Sequence, residues 1–276
     1  MGQITASDVN KLRQQTGAGM MDCKKALVEA DGDFDQAVDI LRKTGQKIAA
    51  KRGDRDANEG YIIAKISEDG KTGIAITLNC ETDFVARTED FQNYANSIAE
   101  TALSGGIESI DSLKAAAQNG STVEEGITAM SGKIGEKIEL AQYEIIKSET
   151  VVAYNHPGNR LATIIGLSKA GDAIAEAGKN VGMQIAAMDP VALDKDGVDQ
   201  SIIDREIEVG KEQARESGKP EELLEKIAMG KLNKFFKENT LLNQEYIKDN
   251  KKTIRQYLEE TDSELEVTSY NRLALG

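Results

Sequence analysis

From residue 73 the chain alternates: Ile74, Ile76, Leu78 and Cys80 fall on one face, and Ala75, Thr77 and Asn79 on the other. A period of two predicts a strand with one face buried. At Phe91 the period changes. Phe91, Tyr94, Ala95, Ile98, Ala99 and Ala102 recur at helical spacing and predict a helix over 89–103. Thr88 fits an N-cap, with Glu89 and Asp90 in a first turn where negative charge suits the helix dipole. Residues 81–87 form a short, tightly anchored loop between the two, with Asp83 and Phe84 near its middle.

Ahead of this unit the pattern predicts three short helices within residues 1–45. Thr5 or Ser7 can cap the first, which carries Val9 and Leu12 and meets a helix-ending Gly17. The second spans 21–30. Asp33 caps the third, where Phe34, Ala37, Val38 and Leu41 share a face and Gly45 is the expected stop. Residues 46–58 are densely charged without an apolar stripe, which predicts a linker that can be helical at its start. Strands are expected at 61–66 and 73–80 around a turn at 67–72, and a further strand at 137–147. Between the 89–103 helix and that strand, shorter helical stretches fit 110–117 and 123–134.

The same order then returns. Strands at 151–155 and 161–168 flank His156-Pro157-Gly158-Asn159, and a helix covers 172–188 with Ile174, Ala177, Val181, Ile185 and Met188 in one stripe. Gly178 and Gly182 thin that helix for a close neighbour, and Pro190 ends it. Repetition of strand, turn, strand and helix suggests an internal duplication. Residues 196–240 read as two charge-rich helices broken at Gly218-Lys219-Pro220, polar over most of their circumference, hence an antiparallel hairpin that projects. A helix near 254–259 and a strand over 265–275 close the pattern.

These elements predict an α+β fold: a bundle at 1–45, a linker at 46–58 and an α+β subdomain at 59–148. A related subdomain takes 149–193 and 241–276, each carrying a small antiparallel sheet, with 194–240 as the helical hairpin insertion. A chain of 276 residues is long enough to bury sizeable cores in such parts.

Charge narrows the partners. Lys and Arg number 34 against 47 Asp and Glu, a net charge of −13. That argues against direct nucleic-acid binding, which draws on clustered basic charge to release counterions. Cys23 and Cys80 form no CxxC, so a reduced intracellular protein is the simpler account, with one disulfide left open. There is no basic segment followed by an apolar stretch at the start and no run of 18 apolar residues, so the expectation is a cytoplasmic chain with no membrane contact.

Motifs that imitate chemistry fail on inspection. Gly70-Lys71-Thr72 resembles the end of a P-loop, but Lys65 stands where its glycine belongs and strands flank it on both sides. Asp31-Gly32-Asp33-Phe34-Asp35 imitates a calcium loop, yet Gln36 replaces the required glycine and Arg42 the bidentate glutamate. Gly17-Ala18-Gly19 lies in an all-helical segment and is no dinucleotide site. His156 is the single histidine and has no metal-binding or nucleophilic companion in sequence. No catalytic constellation, metal site or cofactor site is expected.

By spacing alone, Phe84 either folds into its own core while Asp83 caps a turn, or stands out as an apolar tip beside a carboxylate. Met20 and Met21 either plug the bundle or face a partner, a role that flexible thioethers suit. His156 is either a plain surface-turn residue or a contact.

Two stretches carry a resemblance. Glu81-Thr82-Asp83-Phe84-Val85, with Thr16-Gly17-Ala18-Gly19-Met20-Met21-Asp22-Cys23-Lys24-Lys25-Ala26-Leu27, closely resembles the translation elongation factor Ts family. Residues 3–45 and 77–91 match strongly; Tyr154, His156, Gly158, Arg160, Pro190 and the Gln244 loop match moderately. The chain departs from the family pattern at Gln142, in place of a customary Arg, at Glu245, in place of a Pro, and in its closing Ala274-Leu275-Gly276.

The resemblance implies a guanine-nucleotide exchange factor for elongation factor Tu, which binds the GDP form. It implies that Thr82, Asp83, Phe84 and Val85 are pushed into that GTPase and displace its Mg²⁺. It also implies a ubiquitin-associated-type bundle whose Gly-Met-Met turn docks on the partner. Met20, Met21 and Arg13 would then be partner-binding, with His156 as a further contact and the hairpin reaching toward the GTPase or a second copy. A homodimer or a 2:2 complex stays open. The alternative from another class is a ubiquitin-associated-type adaptor or scaffold without exchange activity.

Overall fold

The computed structural model describes residues 4–16 and 18–276. The chain forms two compact units: one takes residues up to 63 with 76–143 and 275–276, the other 64–75 and 144–274.

The first unit opens with α1 (Ala6–Thr16), α2 (Met20–Glu29) and α3 (Phe34–Arg52). Thr5, not Ser7, caps α1: the Asp8 amide donates to its hydroxyl while the Asp8 carboxylate accepts from the Thr5 backbone, a reciprocal pair. Gly17, the expected stop, lies outside the described residues. Val9, Leu12, Cys23, Ala26, Leu27 and Ala37 form the small buried core. Gly45 does not end α3. It lies inside the helix, where its backbone meets Gly132, and α3 continues through 46–52. A glycine usually marks a helix end because it tolerates the left-handed turn there; here Gly45 is an interior helical residue on whose backbone Gly132 packs.

β1 (Glu59–Ile66) and β2 (Thr72–Cys80) follow, then α4 (Asp83–Ala86), α5 (Glu89–Ser104) and α6 (Ile110–Ala115). A short hairpin of β3 (Ala117–Gln118) and β4 (Ser121–Thr122) precedes α7 (Val123–Ile134) and β5 (Glu139–Lys147). The strands pair in the order β1-β2-β5 and contribute residues to both units. Gly70 sits at φ +68° in the turn between β1 and β2, so the P-loop look-alike is a hairpin turn.

The second unit contains β6 (Thr150–Asn155), β7 (Leu161–Leu167), α8 (Asp172–Met188), α9 (Gln200–Glu216) and α10 (Glu221–Asn239). It ends with β8 (Glu245–Tyr246), β9 (Asp249–Thr253), α11 (Ile254–Thr261) and β10 (Val267–Ala274). β10 and β6 both pair antiparallel with β7, giving β10-β7-β6. A hairpin whose second strand takes the later strand on its far side occurs in both sheets, which fits the expected duplication.

Gly178 and Gly182 bring α8 onto this sheet. A Cβ on Gly178 would come within 2.7 Å of Leu167 and Val152, and one on Gly182 within 2.9 Å of Ile165. The core joins Ile165, Leu167, Val181, Ile185, Leu241, Ile254, Leu258 and Val267. In the hairpin of α9 and α10, Gly210 faces Ala228 at a separation that leaves a Cβ only 3.1 Å from the Ala228 Cα. Gln244 is buried and structural: its amide donates to the Glu238 carbonyl at 3.0 Å, and its oxygen accepts from Gln184.

Candidate functional site

The segment expected to be a loop at 81–87 contains a single helical turn, α4. The reason is local. Thr82 is extended, and its hydroxyl accepts from the Val85 amide at 3.4 Å, a side-chain N-cap for a helix too short to show periodicity. Arg87 then pairs with Asp83 at 2.9 Å, one turn apart. Thr88 does stand before α5, but its hydroxyl donates back to the Val85 carbonyl at 2.8 Å and makes no cap bond to the following helix.

On this turn Phe84 is 81% exposed. Its neighbours divide: Ala86 is buried, whereas Thr82, Asp83 and Val85 are half-buried. Of the two readings open in sequence, the structure takes the outward one for Phe84. Val85 lines a shallow cavity with Met130, Ile134, Thr88, Glu89, Asp90 and Lys133, so the apolar side of the turn meets apolar residues of α7. The Lys133 ammonium pairs with Asp90 at 2.7 Å across that cavity and holds the Asp90 carboxyl below its ordinary range.

The base of the turn is bound from a distance in sequence. One Glu136 carboxylate oxygen accepts from the Glu81 and Thr82 amides at 3.2 and 3.1 Å, and the other from the Thr82 hydroxyl at 2.7 Å. Glu81 reciprocates by accepting from the Lys137 amide at 2.7 Å, and Arg52 at the end of α3 donates to the same Glu81 carboxylate at 3.0 Å. Cys80, beneath the turn, donates to the Thr82 carbonyl at 3.1 Å. Burial pushes its thiol up to about 12, with the Glu136 charge adding to the effect. Both cysteines are free and buried, which removes the disulfide left open by the sequence. Sequence reasoning missed Glu136, Glu81 and Arg52. The signal for Glu136 was faint: Gly135, at φ +81°, ends α7 and turns the next residue back toward the strand ends.

Met20 and Met21 stand 55% and 63% exposed at the start of α2, and Arg13 is exposed on α1, in the same unit as the turn. His156 belongs to the other unit. It is exposed, and its Nδ1 lies 2.9 Å from the Tyr154 hydroxyl. Among the described residues no three His, Cys, Asp or Glu side chains gather in a metal-binding group. No helix among them is long and apolar enough to cross a membrane.

The turn thus holds a phenylalanine side chain in water above a base fixed by Glu136 and Glu81, a feature that contact surfaces share. The comparisons specify the class. The family model described as Elongation factor TS matches residues 81–276. The chain is 54% identical to the elongation factor Ts of Christiangramia forsetii over the whole of both chains. It is 52% identical to that of Amoebophilus asiaticus over 99% of each, and 49% identical to that of Flavobacterium psychrophilum over the whole of both. The chain belongs to the elongation factor Ts family.

Proposed function

We propose that this chain is the guanine-nucleotide exchange factor for elongation factor Tu. It binds the GDP form and speeds release by inserting the Thr82–Val85 turn, which displaces Mg²⁺ at the nucleotide. The observation that carries the reading is the exposed Phe84 ring on a turn whose base is fixed by Glu136 and Glu81. Fixing the turn beforehand lowers the ordering cost of inserting the ring.

Magnitudes set the division of labour. A GTPase that holds GDP at nanomolar affinity does so with about 12 kcal/mol. Speeding release ten-thousandfold requires about 5.5 kcal/mol of selective destabilisation. One buried aromatic anchor supplies about 2–4 kcal/mol, so Phe84 alone is insufficient. Met20, Met21 and Arg13 of the first unit and His156 of the second supply further contact, and the turn converts that binding into disorder at the metal. Asp83 contributes a negative charge where phosphate and metal ligands must be disturbed. The factor and the nucleotide then oppose each other on the GTPase, and incoming GTP displaces the factor by the same coupling.

The test is release of labelled GDP from elongation factor Tu with and without this protein. An exchange factor accelerates release in proportion to its occupancy. An adaptor or scaffold binds and leaves the rate unchanged, and that result would overturn the reading.

A further inference from the structure

Where β2 ends at Cys80 and β5 has not yet begun, the backbone ladder runs out, and side chains take over the pairing. Residues 81–82 and 136–137 exchange carboxylates: Glu136 receives two amides and a hydroxyl from Glu81 and Thr82, and Glu81 receives the Lys137 amide. Carboxylate acceptors on backbone amides are the stronger kind of hydrogen bond, and two oxygens fix direction as well as distance. The Glu136 backbone is itself held, since its carbonyl accepts from the buried Ser131 hydroxyl on α7, which in turn accepts from the Ile138 amide. Arg52 adds a link from α3 to the Glu81 carboxylate.

We infer that Glu136 is a positioning residue for exchange: through Thr82 it aims the turn that carries Phe84, without touching the partner's nucleotide site itself. The inference rests on the exchange reading. Thr82 is the common element, because its hydroxyl donates to Glu136 and also accepts from the Val85 amide that starts α4. Withdrawing the carboxylate frees the first residues of the turn from their partners. The ring stays present but loses its fixed direction, and misplacement of a contact group lowers the rate more than the binding. Arg52 acts one step further back, by keeping Glu81 over the Lys137 amide.

The experiment measures GDP release from elongation factor Tu against factor concentration for wild type, Glu136→Gln, Phe84→Ala and the double variant. Glu136→Gln keeps the shape of the side chain but leaves only one acceptor oxygen. We expect its maximal rate to fall about tenfold, equivalent to about 1.4 kcal/mol, with the half-saturating concentration changed less than twofold. The Thr82 amide should lose hydrogen-exchange protection. The double variant should lose less than the two single losses combined, since Glu136 acts through the turn that carries Phe84. An unchanged maximal rate in Glu136→Gln, or losses that simply add in the double variant, overturns the inference. If Glu136→Gln is poorly folded, Glu136→Asp, which keeps the charge but draws back the oxygens, is held to the same pattern. Failure of the exchange reading itself looks different: the wild-type protein then leaves GDP release at the factor-free rate, and the positioning role falls with it.

Discussion

Gly132 of α7 faces Gly45 of α3 so closely that a Cβ on Gly132 would lie 2.4 Å from the Gly45 Cα. The reverse is not true: a Cβ on Gly45 would meet the Thr128 carbonyl at 3.5 Å, an ordinary contact. The two positions should therefore respond oppositely. Gly132→Ala forces the helices apart and should cost about 1–3 kcal/mol, the range of an overpacked core. Gly45→Ala adds helix propensity inside α3 and should be neutral or stabilising by up to about 1 kcal/mol. Denaturant unfolding of the two variants checks the asymmetry, and equal losses would contradict it.

The Cys80 thiol, pushed up to about 12 and buried beneath the turn, should be nearly inert. At pH 8 very little of it is thiolate, the reactive form. Alkylating reagent should leave Cys80 and the equally buried Cys23 unmodified in the native protein and label both in denaturant. Mass spectrometry of the two samples reads this directly. Rapid native labelling of Cys80 would show that the turn opens.

Asp194 should contribute to acid unfolding of the second unit. Burial alone would raise its carboxyl, but the Asn243 amide, the Lys195 backbone N–H and Arg255 outweigh that and hold it below the usual range. A carboxyl lowered by folding contributes stability that is present above its unfolded pKa and lost as pH falls through the folded one. Asp194→Asn should thus lower stability at neutral pH. It should also make the decline below about pH 4 shallower than in wild type. Chemical unfolding at a series of pH values tests both, and a parallel decline would exclude the role.

Met20 and Met21 are exposed, so exchanging both for serine should leave thermal unfolding unchanged. Under the exchange reading, affinity for elongation factor Tu should drop by about 1–3 kcal/mol, whereas the rate at saturation should change little. Titration calorimetry with the GDP-bound partner distinguishes this from a purely structural loss, which would lower the melting temperature instead.

Much of the fold was legible because long amphipathic segments impose their own period. The α8 helix is bounded as expected from 172 to 188, where its apolar stripe meets Pro190. β2 forms where the alternation predicts a strand. Both of its faces are buried from Gly73 to Leu78, not one, because the residues that cover the second face come from other parts of the chain. What escaped the sequence has tertiary causes or is very short. Gly45 looked like a helix stop because nothing local shows that α3 runs on past it, where Gly132, far along the chain, packs against its backbone. The hairpin of β3 and β4 went unseen although Asn119-Gly120, both at positive φ, is a strong turn signal; its strands have two residues each. In the site, the outward tip at Phe84 followed from the family resemblance and not from spacing. The Glu136 anchor is separated from Thr82 by 54 positions, and no local pattern links them.

The central claim is that Phe84 is the lever of exchange, and release of labelled GDP from elongation factor Tu under saturating factor measures it most directly. Phe84→Ala should fold as wild type does, since the ring it removes lies largely in solvent. Its saturating release rate should fall by about 2–4 kcal/mol of lost assistance, roughly thirtyfold to a thousandfold. A variant that releases GDP at the wild-type rate would contradict the account.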